Sequence, residues 1–98
     1  MNIGDRVTIR NKLAKCSRYG DGGRKVFWRP SPFDLPASAL YLGTTMLYDG
    51  IVSWSGDEEG NTFTRTGQIA AVVVQPLDRG NRYRRPIYAR PEDVEQHP

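Results

Sequence analysis

Apolar and polar residues alternate at the start of the chain. Ile3, Val7 and Ile9 fall on one side of an extended segment, and polar residues fall on the other side. A period of two is typical of a half-buried strand, so residues 3–10 are predicted to be the first strand. No segment keeps an apolar period of 3.6 over ten residues, and therefore no long helix is predicted.

Residues 11–39 are predicted to be a long loop region, basic at first and then proline-rich. Asp21-Gly22-Gly23 is a strong turn signal, and residues 25–28 after it are a short strand candidate. Three prolines between residues 30 and 36 argue against a helix and against a central strand. The proline-rich part is therefore predicted to be an extended connection lying across a β-barrel.

The dipeptide Asp49-Gly50 lies between two β-prone runs and matches the preferred two-residue hairpin turn. This turn places Leu47 opposite Val52 and predicts a core face formed by these two residues and Trp54. The opposite face is apolar too, so the proline-rich segment, a second chain or a partner is expected to cover it. That face consists of Met46, Tyr48 and Ile51.

The second half of the chain predicts further short strands. A hairpin loop at residues 56–61 is followed by a strand at 62–66 with Phe63 pointing inward. Residues 68–77 are apolar on both faces, which is typical of a central strand. Pro76 is expected to end that strand, because proline cannot donate to the ladder.

The last part of the chain predicts a basic loop, a short edge strand at residues 86–89 and one helical turn starting at Pro91. Together the patterns predict a mostly β fold: one small, strongly bent barrel of five or six antiparallel strands. The chain resembles the Src-homology-3-like barrel family. The resemblance rests on IGDRVTI at 3–9 as first strand and on ARPEDVE at 89–95 as a short 3₁₀ turn with the final strand.

The layout also resembles small accessory proteins of phage genomes. In peptide-binding members of the barrel family, acidic and aromatic residues after the first strand line a proline groove, whereas the corresponding loop here is basic. The resemblance therefore implies a binding function without implying that kind of peptide groove.

Length and composition favour a single domain, 1–98, because 98 residues leave no room for two cores. The longest apolar run, residues 69–74, is far shorter than the roughly 20 residues of a membrane-spanning helix. The N-terminus has no apolar run typical of a signal peptide. With one cysteine, an intramolecular disulfide is excluded, and we expect a cytoplasmic protein, in the host cytoplasm if it is phage-encoded.

The net charge of +3 is unevenly distributed. Residues 1–29 carry +6, residues 30–78 carry −5 and residues 79–98 carry +2. Basic surface attracts nucleic acid, acidic protein patches or phosphorylated ligands. The opposite charges also have a simpler explanation, in which they pair with each other in the folded chain.

The residue types present in the sequence give little support to catalysis or to metal binding. One cysteine and one histidine cannot form a zinc site. Cys16 lies in a cationic stretch that favours a reactive thiolate, but the only histidine, His97, is next to last in the sequence. The stretch RYGDGGRK lacks the ending of a nucleotide-binding P-loop, and no helix is predicted to follow it. We therefore expect no enzyme and no cofactor.

The sequence instead favours a binding surface of cations and flat aromatic rings, since Arg and Lys hold phosphates and rings stack on bases. An ordinary hairpin with its charges in water fits the same residues. The candidate contact residues are Arg18, Arg24, Lys25, Trp28, Arg29, Arg82, Tyr83, Arg84 and Arg85.

Three functions remain open at this point. The first is nucleic-acid binding. The second is a phage-type protein inhibitor of a host or defence complex, such as an anti-CRISPR protein, which grips an acidic protein surface. The third is an oligomeric nucleotide sponge, in which a homo-oligomer buries a nucleotide between arginine-lined loops.

Overall fold

A computed structural model describes residues 1–54, 60–77 and 84–97, except for the side chains of residues 33–35. Within these residues the chain forms one antiparallel sheet of five strands. The strands are β1 (Arg6–Gly20), β2 (Gly23–Trp54), β3 (Asn61–Pro76), β4 (Ile87–Ala89) and β5 (Val94–Gln96). Their order in the sheet is β4-β3-β2-β1-β5, and a 3₁₀ turn at Pro91–Asp93 precedes β5.

The long strand β2 is shared between two hairpins. Its first half, from Gly23 to Pro32, pairs with β1 alone, and its second half, from Gly43 to Trp54, pairs with β3 alone. The two ends of β2 also approach each other, since the amide of Trp54 donates to the carbonyl oxygen of Gly22 at 3.0 Å. The two hairpins therefore lie side by side, and the molecule is elongated, measuring 53 × 24 × 20 Å.

The core consists of two clusters of small and medium apolar side chains. The first lies where β2 has a strand on each side, and Val7, Ile9 and Val74 are fully buried there. The second joins Leu13 of β1 to Leu47 of β2, with Trp28 packed against it. Buried alanines throughout both clusters allow the strands to approach closely.

The C-terminal turn is fixed by a buried carboxylate. Asp93 is 7% exposed and accepts hydrogen bonds from Arg90 Nε at 2.6 Å and from Asn11 Nδ2 at 2.9 Å. The hydrogen bond from Arg90, and more weakly that from Asn11, lowers the pKa of Asp93 despite its burial. This side chain ties the turn to β1.

Several sequence predictions about the architecture are confirmed. The chain is mostly β and antiparallel, the short strand β4 lies at an edge, and Pro76 ends β3. The 3₁₀ turn followed by a final strand is also present. The closed barrel is wrong: in the described residues β4 and β5 end the sheet without pairing with each other. The Src-homology-3-like resemblance therefore reduces to a small antiparallel β domain.

The predicted hairpin turn at Asp49-Gly50 is wrong. These residues lie inside β2 at a register shift, where Asp49 pairs with Gly67 and Gly50 pairs with Arg65. The ring of Phe63 lies against Gly50 and occupies the space that a larger side chain would need. The Asp-Gly pair thus supplies an irregularity within a strand in place of a chain reversal.

The core face predicted from that turn is only partly correct. Leu47 is buried as expected, Val52 is half-buried, and Trp54 is 41% exposed. Phe63 was also predicted to point inward but is exposed. The physical reason is that these positions lie near the far ends of the hairpins, beyond the two core clusters.

The predicted loop region at residues 11–39 is wrong as well, because both parts of it form strands. β1 continues to Gly20, and the prolines of β2 pair with it, Pro30 opposite Leu13 and Pro32 opposite Asn11. Both prolines have the same parity, so their nitrogens face the same side of the strand. They lie where β2 pairs with β1 alone, and the lack of an N–H is harmless on the side that has no ladder.

Three smaller predictions also need correction or fall outside the structure. Ile3 is 74% exposed, because β1 begins only at Arg6. Met46 and Ile51 are exposed, so residues 30–39 do not cover this apolar strip. The predicted loops at 56–61 and 78–85 fall largely on residues 55–59 and 78–83, which lie outside the described residues.

Candidate nucleic-acid interface

The hairpin of β1 and the first half of β2 (residues 11–32, here called the hairpin arm) distributes its side chains over two faces. Arg18 lies opposite Lys25 on one face, and Tyr19 lies opposite Arg24 on the other. We call the face that carries buried Val26 the inner face and the opposite one the outer face. Arg24 and Lys25, which the sequence placed together, therefore point to opposite faces.

The outer face of the hairpin arm is basic. Arg18 and Lys25 are direct cross-strand neighbours and are exposed, as is Arg29 two pairs of residues further along the same face. Phe27 lies between these cations on β2 and is half-buried. Arg18 and Lys25 also line a cavity of about 290 Å³ together with Phe27, Trp28 and Asp49.

That cavity marks the gap between the two halves of β2. Asp49 Oδ1 accepts a hydrogen bond from the backbone amide of Trp28 at 3.2 Å, which bridges the gap. The arrangement places two cations and an aromatic ring beside a concave surface. A phosphate can bind at the cations while a planar group lies on the ring.

The tip of the hairpin arm exposes two large aromatic rings. Tyr19 is 69% exposed and Trp54 is 41% exposed, and their ring centroids are 6.4 Å apart with the planes tilted by 35°. We call these two residues the tip pair. A second cavity of about 320 Å³ lies at this tip and is lined by residues that include Arg18, Arg24, Lys25 and Ile51.

The turn at the tip follows from local sequence. Asp21 and Gly22 are exposed as predicted, and Gly22 has a positive φ of 73°, which glycine adopts without steric cost. Gly23 already belongs to β2, where a Cβ would collide with the carbonyl oxygen of Val52. Val26 is 3% exposed and anchors the returning strand.

Four cations of the hairpin arm lack acidic partners among the described residues. Arg18, Arg24, Lys25 and Arg29 form no ion pair with any residue of 1–54, 60–77 or 84–97. Other cations do form ion pairs in the described residues, among them Arg10 with Glu95, and Arg90 with Glu92 and Asp93. These four cations of the arm are therefore available to an anionic partner.

Trp28 has a different environment from the one expected of a stacking residue. It is half-buried on the inner face, packs against the second core cluster and contacts Tyr88 edge-on at 5.6 Å between ring centroids. Its ring supports the hairpin arm against β4. The exposed rings are instead those of the tip pair, one member of which, Trp54, the sequence had assigned to the core.

The C-terminal basic stretch is only partly visible. Arg84 and Arg85 are exposed and precede β4, whereas Arg82 and Tyr83 lie outside the described residues. Their part in the same binding surface as the hairpin arm stays a prediction.

Comparisons with protein-family models, with curated proteins and with solved structures gave no match. In the residues that the structure describes, no helix is long and apolar enough to cross a membrane. The same residues contain no group of three or more His, Cys, Asp or Glu side chains that could hold a metal ion. The geometry and charge of the hairpin arm are therefore the features that point to a function.

Proposed function

We propose that this protein is a non-catalytic nucleic-acid-binding module that takes a single strand on its hairpin arm. The observation that carries the proposal is the combination of unpaired cations with exposed rings at one end of an elongated molecule. Phosphates bind at the cations on both sides of the arm, Arg18, Lys25 and Arg29 on the outer face and Arg24 on the inner face, and bases stack on the tip pair, whose Tyr19 lies opposite Arg24. A single strand is favoured over a duplex because its bases are free to stack on side chains.

The arrangement of the only histidine favours binding over nucleophilic catalysis. His97 contacts the hydroxyl of Thr8 beside β5, near the opposite end of β1 from the tip. Cys16 lies on the outer face opposite Phe27, and its thiol is directed to the carbonyl oxygen of Ala14 at 3.6 Å. The thiol therefore has no histidine base beside it.

The test is the salt dependence of binding to a fluorescein-labelled oligodeoxythymidine, followed by fluorescence anisotropy. Each phosphate contact to a single strand contributes about 0.7 to the slope of log K against log salt. Replacing Arg18 and Lys25 together with Ala is expected to lower that slope by about 1.4. Unfolding should be unaffected, since exposed charges contribute little to stability.

The matched control replaces Arg6 and Arg10, two exposed cations at the other end of β1, with Ala. This variant has the same net charge as the test variant, but its changes lie roughly 33–46 Å from Gly20 at the tip. We expect it to keep the wild-type slope. Equal slopes for the two variants, or no binding by the wild type at low salt, would contradict the proposal.

A second candidate function is favoured by the exposed apolar side chains Met46, Ile51 and Trp54. Such side chains suit a protein contact, as in a phage-type inhibitor of a host or defence complex. A 3₁₀ turn before a last strand that pairs with β1 supports the resemblance to Src-homology-3-like proteins on which this candidate depends. Capture of partners from host lysate with and without nuclease separates the two candidates, because a protein partner remains bound after nuclease treatment.

A further inference from the structure

In the described residues, one edge of β1 has no neighbouring strand over most of its length. β2 pairs with β1 from Arg6 to Gly20, whereas β5 pairs with the other edge only at Val7–Ile9. Asn11 is next to the C-terminal turn through its bond to Asp93. Beyond it, residues 13–20 have no strand on this side in the described part of the chain. We call this segment the free edge.

The direction of the backbone groups on the free edge follows from one hydrogen bond. The amide of Trp28 donates to Asp49, so it points away from β1. In an antiparallel ladder, the N–H and C=O groups of two directly opposite residues either all point toward the partner strand or all point away from it. Lys15 lies opposite Trp28, and its N–H and C=O therefore face the free edge.

The direction of the N–H and C=O groups alternates from residue to residue, so the result for Lys15 extends to other residues of the strand. Leu13, Ser17 and Tyr19 have the same parity as Lys15, so their backbone groups face the free edge as well. The position of Pro30 opposite Leu13 agrees, because a proline fits only where no N–H is needed by the ladder. These four alternate residues, whose N–H and C=O groups all point away from β2, provide the donors and acceptors for one added strand.

The charge around the free edge selects the occupant. Between Asn11 and Gly20 β1 carries Lys12, Lys15 and Arg18 and no acidic residue. Pairing of two copies through this edge would bring like charges together, which is destabilising for directly opposed residues. An acidic strand has the complementary charge, and its side chains would lie beside Arg18 and, one strand further, Lys25 on the outer face.

We propose that the free edge of β1 binds an acidic peptide segment in extended conformation, as an added sixth strand. This goes beyond nucleic-acid binding, because affinity comes from main-chain hydrogen bonds and side-chain charge adds selectivity. Such edges are normally protected when they have no partner, and lysine on the edge is a common protection. Here Lys15, on the inner face, discourages self-pairing, and Arg18, on the outer face, attracts the carboxylates.

The experiment uses the full chain and a synthetic nine-residue peptide that alternates Glu and Thr, with blocked ends. Amide hydrogen exchange of the wild type is followed by NMR with and without the peptide. We expect slower exchange at Lys15, Ser17 and Tyr19. The amides of Cys16 and Arg18, which already face β2, should change little, so the protection alternates along the strand.

A backbone variant tests the same point by affinity. Ser17→Pro removes an outward-facing N–H at an exposed position and leaves the pairing with β2 in place, and Ser17→Ala removes only the side-chain hydroxyl. We expect about a tenfold loss of peptide affinity for the proline variant and no loss for the alanine variant. A peptide in which Lys replaces Glu should bind neither the Ser17→Pro variant nor the Ser17→Ala variant.

The proposal is overturned if the acidic peptide gives no alternating protection of β1 in the wild type. It is also overturned if a folded Ser17→Pro variant binds the peptide as tightly as Ser17→Ala does. The exchange pattern of the wild type decides the question if the proline variant does not fold.

Discussion

At the residue scale, the most consequential polar group is the buried carboxylate of Asp93. Its pKa is lowered first by the hydrogen bond from Arg90 and then by that from Asn11, against the opposing effect of burial. A carboxyl whose pKa is lower in the folded state stabilises the fold at neutral pH. This stability is lost as the pH falls from the unfolded-state pKa through the lowered folded-state pKa.

We therefore expect Asp93→Asn to destabilise the protein by about 1–3 kcal/mol at pH 7, because a charge-assisted bond is lost in a buried site. Melting temperatures of both proteins measured between pH 7 and pH 2 test this. The gap between them should narrow in acid, since protonation removes the same charge from the wild type. A gap that stays constant down to pH 2 would show that the charge of Asp93 contributes nothing.

At the scale of elements, the sequence predicted where strands lie better than it predicted which strands pair with each other. The alternation around Val7 and Ile9 and the apolar residues before Pro76 identified parts of β1 and β3 correctly. The course of β2 was not predictable from local patterns, because the dipeptide Asp-Gly occurs both in hairpin turns and in bulges within a strand. Only the pairing of the whole second half of β2 with β3 decides between a turn and a bulge.

The same limit applies to the candidate site. The turn at Asp21-Gly22 was readable, because glycine is needed for its positive φ. The separation of Arg24 from Lys25 follows from strand alternation once residues 23–28 are recognised as a strand. The proximity of Trp54 to Tyr19 depends on the return of β2 to its own beginning, which is a long-range contact without a local signal.

The corrected position of Trp54 changes what its replacement should cost. A buried aromatic residue replaced by Ala costs about 3–5 kcal/mol. Since Trp54 is 41% exposed, we expect Trp54→Ala to cost about 1 kcal/mol, mostly the contact with Tyr19. Leu47→Ala, in the second core cluster, should cost about 2–5 kcal/mol. Urea unfolding of both variants tests the order, and a larger cost for Trp54 would restore it to the core.

At the scale of the whole molecule, the core and the proposed nucleic-acid site lie at different places along a 53 Å axis. The fully buried side chains lie where β2 has two neighbours, and the cations and the tip pair lie toward the far end of the hairpin arm. Replacements at the tip should therefore change binding without unfolding the chain. This separation allows the two tryptophans to report on different regions.

The two tryptophans provide the last test of where nucleic acid binds. Trp54 is exposed at the tip, whereas Trp28 is half-buried against Tyr88. Bases that stack on the tip pair should quench the fluorescence of Trp54 and leave that of Trp28 nearly unchanged. We expect the Trp28→Phe variant to keep the quenching caused by oligodeoxythymidine and the Trp54→Phe variant to lose it. Quenching that persists in Trp54→Phe and disappears in Trp28→Phe would move the binding surface from the tip to the inner face of the hairpin arm.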